Sequence, residues 1–141
     1  MTDIYLSLGS NLGDREANLE AALSLLDRRL GPRVRVSSIM ETPAFGFEGP
    51  DFLNLAALYR SDIGAMELLG VCKETERELG RTGAPKFDRD GSRIYESRTI
   101  DIDILLYGKR EIDLPELKVP HPGLQDRPFM RIPLKEIFEN D

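Results

Sequence analysis

The hydrophobic positions change period several times along the chain, and each change marks an element. Ile4, Leu6 and Leu8 alternate with Tyr5 and Ser7, the two-residue period of a strand over residues 4–9. A turn through residues 10–13 follows. Asp14 then suits a helix N-cap, with Leu19, Ala22, Leu23, Leu26 and Leu30 at helical spacing behind it. Gly31-Pro32 stops that helix. Val34, Val36, Ser38 and Met40 begin a second strand ending near Glu41, and residues 42–50 form a Pro- and Gly-rich loop. Residues 51–59 read as a third strand with Leu53, Leu55, Ala57 and Tyr59 on one side. Ser61-Asp62 caps a second helix through Met66, Leu69, Cys72, Glu76 and Leu79.

Residues 80–97 carry no hydrophobic period, and loops of that length inside a compact domain usually serve function. The next tract is the most informative. RTIDIDILLYG, at residues 98–108, alternates Ile100, Ile102 and Ile104 with Asp101 and Asp103. A turn at Lys109-Arg110, a short segment at 111–113, VPHP at 119–122 and a final helix near 134–138 complete the chain. The order strand, helix, strand, strand, helix, strand is that of a ferredoxin-like α+β sandwich. The expected architecture is a βαββαβ core, a mainly antiparallel sheet with helices packed on it in three αβα layers. That fold serves many functions and names none of them.

Composition narrows the classes. A chain of 141 residues suits one domain spanning 1–141, with 40% hydrophobic and 31% charged residues as in soluble globular proteins. Its net charge of −6 opposes wholesale nucleic-acid or membrane binding, which wants a basic face. No apolar run is long enough to span a membrane, and the first ten residues lack the pattern of a signal peptide. Cys72 is the only cysteine and sits in an apolar helical pattern, as a core residue in a reducing cytoplasm would.

The candidate chemistry begins with the aspartates. Residues two apart on a strand point the same way, about 6.6 Å apart along it. With the isoleucines facing the core, two carboxylates stand side by side and repel. Magnesium is a natural partner for such a pair, since it bridges carboxylates to substrate phosphates. A solvated strand face is the alternative. Gly9–Gly13 lacks the spacing and lysine of a P-loop, so a structural turn in which Asn11 bonds nearby backbone is the better reading. Arg81 and Arg98 are candidates for phosphate contact, whereas Arg89 and Arg93 are balanced by neighbouring acids. His121, the sole histidine, lies between two prolines and is either a phosphate donor or an ordinary loop residue. Phe45, Phe47, Phe52 and Phe129 fall in or beside loops. They either close the core or sandwich a flat heterocycle whose polar edge Asn54 reads.

Taken together, these tracts resemble the 6-hydroxymethyl-7,8-dihydropterin pyrophosphokinases of folate biosynthesis. The resemblance is collinear: LGSNLGDR at 8–15, ETPAFG at 41–46, DFLNLA at 51–56, GR at 80–81, RTIDIDILLYG at 98–108, VPHP at 119–122 and RPFMRIPL at 127–134. It implies transfer of the β,γ-diphosphate of ATP to the pterin hydroxymethyl group, with release of AMP. By position it implies that Asp101 and Asp103 hold two magnesium ions, with Arg81 and Arg98 catalytic beside them. It gives Thr42, Pro43, Phe45, Phe52, Asn54 and Phe129 to the pterin pocket. Glu76, Arg81, Arg98, His121 and Arg127 line the ATP side. Small-molecule substrates are the expected partners, without nucleic acid, membrane or an obligate protein partner.

The chain departs from the family pattern in three places. A second arginine common two residues beyond Arg81 is replaced by Gly83, with Lys86 and Arg89 as candidate substitutes. The common WGPR tract reads Tyr95-Glu-Ser-Arg98, and an arginine common after the proline following the histidine is Gly123. Rival functions come from other classes: a ferredoxin-like RNA-binding module, a magnesium-dependent nucleotidyl transferase or cyclase, and a pterin-binding relative without catalysis. The RNA-binding module wants exposed sheet aromatics, where this strand offers carboxylates.

Overall fold

The structure, a computed structural model, describes residues 1–44, 49–80 and 99–138. Strand β1 (Thr2–Ser10) lies inside the sheet because its residues are apolar or small on both faces. It pairs antiparallel with β4 (Phe52–Ser61) from Thr2↔Ser61 to Ser10↔Leu53. On its other side β5 (Asp101–Tyr107) runs antiparallel from Ile4↔Tyr107 to Gly9↔Asp101. Two short strands, β2 (Arg35–Val36) and β3 (Met40–Thr42), pair with the far side of β4. The spatial order β2-β4-β1-β5, with neighbours antiparallel, is the expected ferredoxin-like arrangement.

Helices α1 (Arg15–Leu30) and α2 (Ala65–Glu78) cover one face, and α3 (Pro128–Phe138) covers part of the other. A small hairpin of β6 (Ile112–Asp113) and β7 (Lys118–Val119) follows β5. The α1/α2 face is a continuous apolar layer containing Ile4, Leu6, Leu8, Leu55, Ala57, Tyr59, Ile100, Ile102 and Ile104. Asp14 caps α1 by accepting the Ala17 N–H at 3.1 Å. Gly31 ends it with a φ of 100°, where its N–H reaches the Asp27 carbonyl. Among the described residues no helix is long and apolar enough to cross a membrane.

The expected second strand is two pieces instead of one. Ser37 accepts the Ala56 N–H through its hydroxyl at 2.9 Å, and Ser38 turns to the Glu136 carboxylate on α3. Side chains thus take backbone bonds that a continuous ladder would have used. Ser61 does not cap α2; it is still in β4, paired with Thr2, and the cap is Gly64. The last helix begins six residues earlier than the sequence pattern indicated, at Pro128 against an expected start near 134. Pro128 fits a first turn, whose N–H groups lack helical partners anyway. Pro133 sits inside the helix, buried, with its apolar ring in the α3 layer.

Candidate active site

The α3 face of the sheet is built from Tyr5, Ser7 and Gly9 of β1, Phe52, Asn54, Ala56 and Leu58 of β4, and Asp101, Asp103 and Leu105 of β5. A register shift between Tyr5 and Leu6 pairs Tyr5 with Leu106 and Leu6 with Ile104. This bulge turns both Leu105 and Leu106 into the α3-side core. Tyr5, Ala56, Leu58, Leu105, Met130, Leu134 and Ile137 make a second apolar cluster there. Past the first turn of α3 the cover ends. Ser7, Gly9, Asn54, Asp101 and Asp103 then line an open cleft walled by Thr42, Pro43, Phe52 and Phe129.

Asn54 is 2% exposed, and its amide donates to the Thr42 hydroxyl at 2.8 Å. That bond takes one of the amide's two N–H donors and leaves the other, with the amide oxygen, as a paired donor and acceptor edge. Gly9 makes this possible. A Cβ on Gly9 would lie 2.9 Å from the Asn54 oxygen and 3.4 Å from the Phe52 ring. Ser7 and Gly9 are site residues that the sequence reading did not single out. A glycine inside an otherwise apolar strand is the signal that marked a close approach.

Asp101 is 6% exposed and Asp103 partly so; they share this face as the strand period requires. Between them the Ile102 N–H donates to the Glu76 carboxylate at 2.8 Å. Glu76, buried on α2, therefore clamps the backbone segment that carries both aspartates, and it is not among the cleft's lining residues. His121 sits 3.8 Å from Asp103 through Nε2, beyond hydrogen-bonding range. Its Nδ1 accepts the Gly123 N–H at 2.9 Å, so in the neutral ring Nε2 carries the proton toward Asp103. Arg127 immediately precedes α3 and folds over Gly123. Cys72 is buried in the α1/α2 core, and burial, then the charges of Glu76 and Asp103, push its thiol up. It is a core residue, as expected.

The LGSNLGDR tract forms no phosphate cradle. Asn11 reaches across to the Pro50 carbonyl at 3.0 Å, and Arg15 binds Glu41 and the Asp51 carbonyl. The tract ties together both ends of the loop between β3 and β4. Of the expected site residues, the fold gathers Thr42, Pro43, Phe52, Asn54, Asp101, Asp103 and Phe129 around one cleft. Phe45, Arg81 and Arg98, with the candidate substitutes Lys86 and Arg89, lie outside the described residues.

The chain matches the 7,8-dihydro-6-hydroxymethylpterin-pyrophosphokinase family model over residues 5–139. A 2-amino-4-hydroxy-6-hydroxymethyldihydropteridine pyrophosphokinase of Porphyromonas gingivalis is 42% identical over 139 residues, covering 97% of this chain and 91% of that protein. The protein of the same name from Bacillus subtilis is 40% identical over 137 residues, covering 96% of this chain and 77% of its own length. The mitochondrial folate synthesis bifunctional protein of Pisum sativum is 40% identical over 138 residues, which are 96% of this chain and 25% of the larger protein. With the fold, the aspartate pair and the full-length match in agreement, this chain belongs to the 7,8-dihydro-6-hydroxymethylpterin-pyrophosphokinase family.

Proposed function

We propose that the protein transfers the β,γ-diphosphate of ATP to the hydroxymethyl group of 6-hydroxymethyl-7,8-dihydropterin, giving the pterin diphosphate and AMP. The observation that carries this reading is a single cleft with an aromatic, amide-edged end and a dicarboxylate end. A pterin is flat and apolar on its faces and carries donors and acceptors on its edge. Phe52 and Phe129 suit the faces, and Asn54, held by Thr42, suits the edge. Pro43 and Phe45 complete that end in our assignment.

Two carboxylates in place of a closed protein cage are the donor set that suits magnesium arriving with phosphates. Asp101 and Asp103 would hold it, two ions in our assignment, and when bound it neutralises charge on the phosphate oxygens. The pterin oxygen forms a bond to the β-phosphorus. The bond from that phosphorus to the α-phosphate's bridging oxygen breaks, its electron pair leaves with AMP, and the hydroxyl proton passes to solvent. Little covalent work falls to the protein; it aligns two substrates and excludes water. Glu76 holds the aspartate-bearing backbone still. His121 presents Nε2–H to a phosphate oxygen, and Arg81, Arg98 and Arg127 spread positive charge over the transferring group and AMP. The single cysteine, buried as a thiol, suits a reducing cytoplasm.

Incubation with ATP, magnesium and the hydroxymethylpterin, with nucleotides separated by chromatography, tests the reading. AMP should form only when pterin and magnesium are both present. ADP would indicate an ordinary kinase, pyrophosphate a nucleotidyl transferase, and either would overturn the proposal.

A further inference from the structure

We propose that Gly123 is a positioning residue for the nucleotide side of the site, seating the Arg127 guanidinium beside His121. The inference rests on assigning His121 and Arg127 to ATP. Three features of one residue carry it. The Gly123 N–H donates to His121 Nδ1 at 2.9 Å, and the Gly123 carbonyl accepts the Arg127 N–H at 2.9 Å. The third is space. A Cβ at position 123 would lie 2.6 Å from Arg127 Cδ, 2.6 Å from Nε and 2.8 Å from Cζ.

Backbone conformation does not require this glycine. Among the described residues the glycines with positive φ are Gly13, Gly31, Gly80 and Gly108, and Gly123 is not one of them. An L-residue fits the turn, but its Cβ would displace the flexible end of the arginine lying across it. The turn itself is held independently: the His121 N–H donates to the Leu105 carbonyl at 3.0 Å, anchoring the segment to β5. The Leu124 and Asp126 N–H groups close it on His121 and Gly123. A side chain at 123 therefore leaves the turn and the His121 contact in place and moves only the far part of Arg127. Gly123 thus offers an open Cα surface on which Arg127 rests.

A double-mutant cycle on the full chain tests this, with binding of magnesium α,β-methylene ATP and of pterin measured by titration calorimetry. Arg127→Ala should weaken the nucleotide analogue about tenfold or more, the scale of a lost charge-assisted contact. Gly123→Ala should weaken it to a similar degree, raise the KM for ATP, and leave pterin affinity unchanged. The double variant should be no worse than Arg127→Ala alone. Wild-type nucleotide affinity in Arg127→Ala would remove the nucleotide assignment itself. Wild-type affinity in Gly123→Ala alone, or additive losses in the double variant, would overturn the seat while leaving that assignment intact. If Gly123→Ala fails to fold, the double variant decides: folding restored supports the clash with Arg127, and folding still lost overturns it.

Discussion

The two faces of the sheet differ in how far their cover extends. Under α1 and α2 the isoleucines and leucines of β1, β4 and β5 meet helices along their whole length, and the layer is closed. Under α3 the same strands meet a helix over part of their length, and beyond it Ser7, Gly9, Asn54, Asp101 and Asp103 line the cleft. Alternate residues at the start of β5 serve both faces, so Ile102 is core while its neighbours Asp101 and Asp103 line the cleft. Packing and cleft are thereby divided between neighbouring positions of one strand, up to the bulge that turns Leu105 and Leu106 into the α3-side core. A substitution on one face should leave the other's role almost untouched.

The largest effect should come from the open face. Asp103→Ala should lower kcat by about a thousandfold, the scale of removing a preorganised charge contact at a transferring phosphoryl group. Pterin affinity and the thermal midpoint should stay near wild type. Turnover near wild type would show that the pair does not serve the transfer. Next in size is the closed face. Leu6 is fully buried there, and Leu6→Ala should cost about 3 kcal/mol of stability in denaturant unfolding. Its kcat per folded molecule should not change. A large kcat loss at full folding would mean that the two faces are coupled, and the division above would fail.

Much of this division was legible in the sequence. Period-2 alternation located β1, β4 and β5, and the isoleucine–aspartate alternation assigned the two faces of β5. What stayed hidden depends on partners distant in sequence. The break between β2 and β3 comes from Ser37 bonding Ala56 and Ser38 bonding Glu136, contacts 19 and 98 residues apart. The early start of α3 carries no helical signal in sequence because its first six residues include Pro128, which begins the helix, and Pro133, which is buried within it. Glu76 fell on the expected helix, but its bond to the Ile102 N–H belongs to the tertiary fold alone. Gly9 was visible as a turn residue, yet its use is the room it leaves for Asn54 on the neighbouring strand.

That room gives the next prediction in size. Gly9→Ala should push the Asn54 amide away from the cleft floor, since the added carbon meets its oxygen at 2.9 Å. Pterin binding, followed by fluorescence titration, should weaken about tenfold, the cost of one misplaced polar contact. Binding of the nucleotide analogue should not change. Equal losses for both ligands would mean that the variant deforms β1 itself, and that Gly9 shapes the whole cleft instead of its pterin end.

The smallest effect lies at the rim of the closed face, where the Tyr59 hydroxyl meets a carboxylate. Tyr59 OH donates to Asp27 at 2.8 Å and lies 3.3 Å from the Leu23 carbonyl. Burial, then the Asp27 partner, pushes the Tyr59 phenol up, so it remains a donor. Burial by itself would raise the Asp27 carboxyl, but hydrogen bonds from Arg33 and Tyr59 and the Arg33 charge outweigh it and hold it below the usual carboxylate range. A depressed carboxyl stabilises the fold above its unfolded value and loses that contribution as pH falls through the folded one. Tyr59→Phe removes one of the depressing bonds and should cost about 1 kcal/mol near neutral pH. The gap from wild type should begin to narrow below about pH 4, where the unfolded chain takes up the Asp27 proton, and close as pH falls through the lower folded value. Thermal midpoints across that range check it, and kcat should not move. A gap that is constant with pH would assign the hydroxyl's contribution to the Leu23 carbonyl, leaving Asp27 held by Arg33 alone.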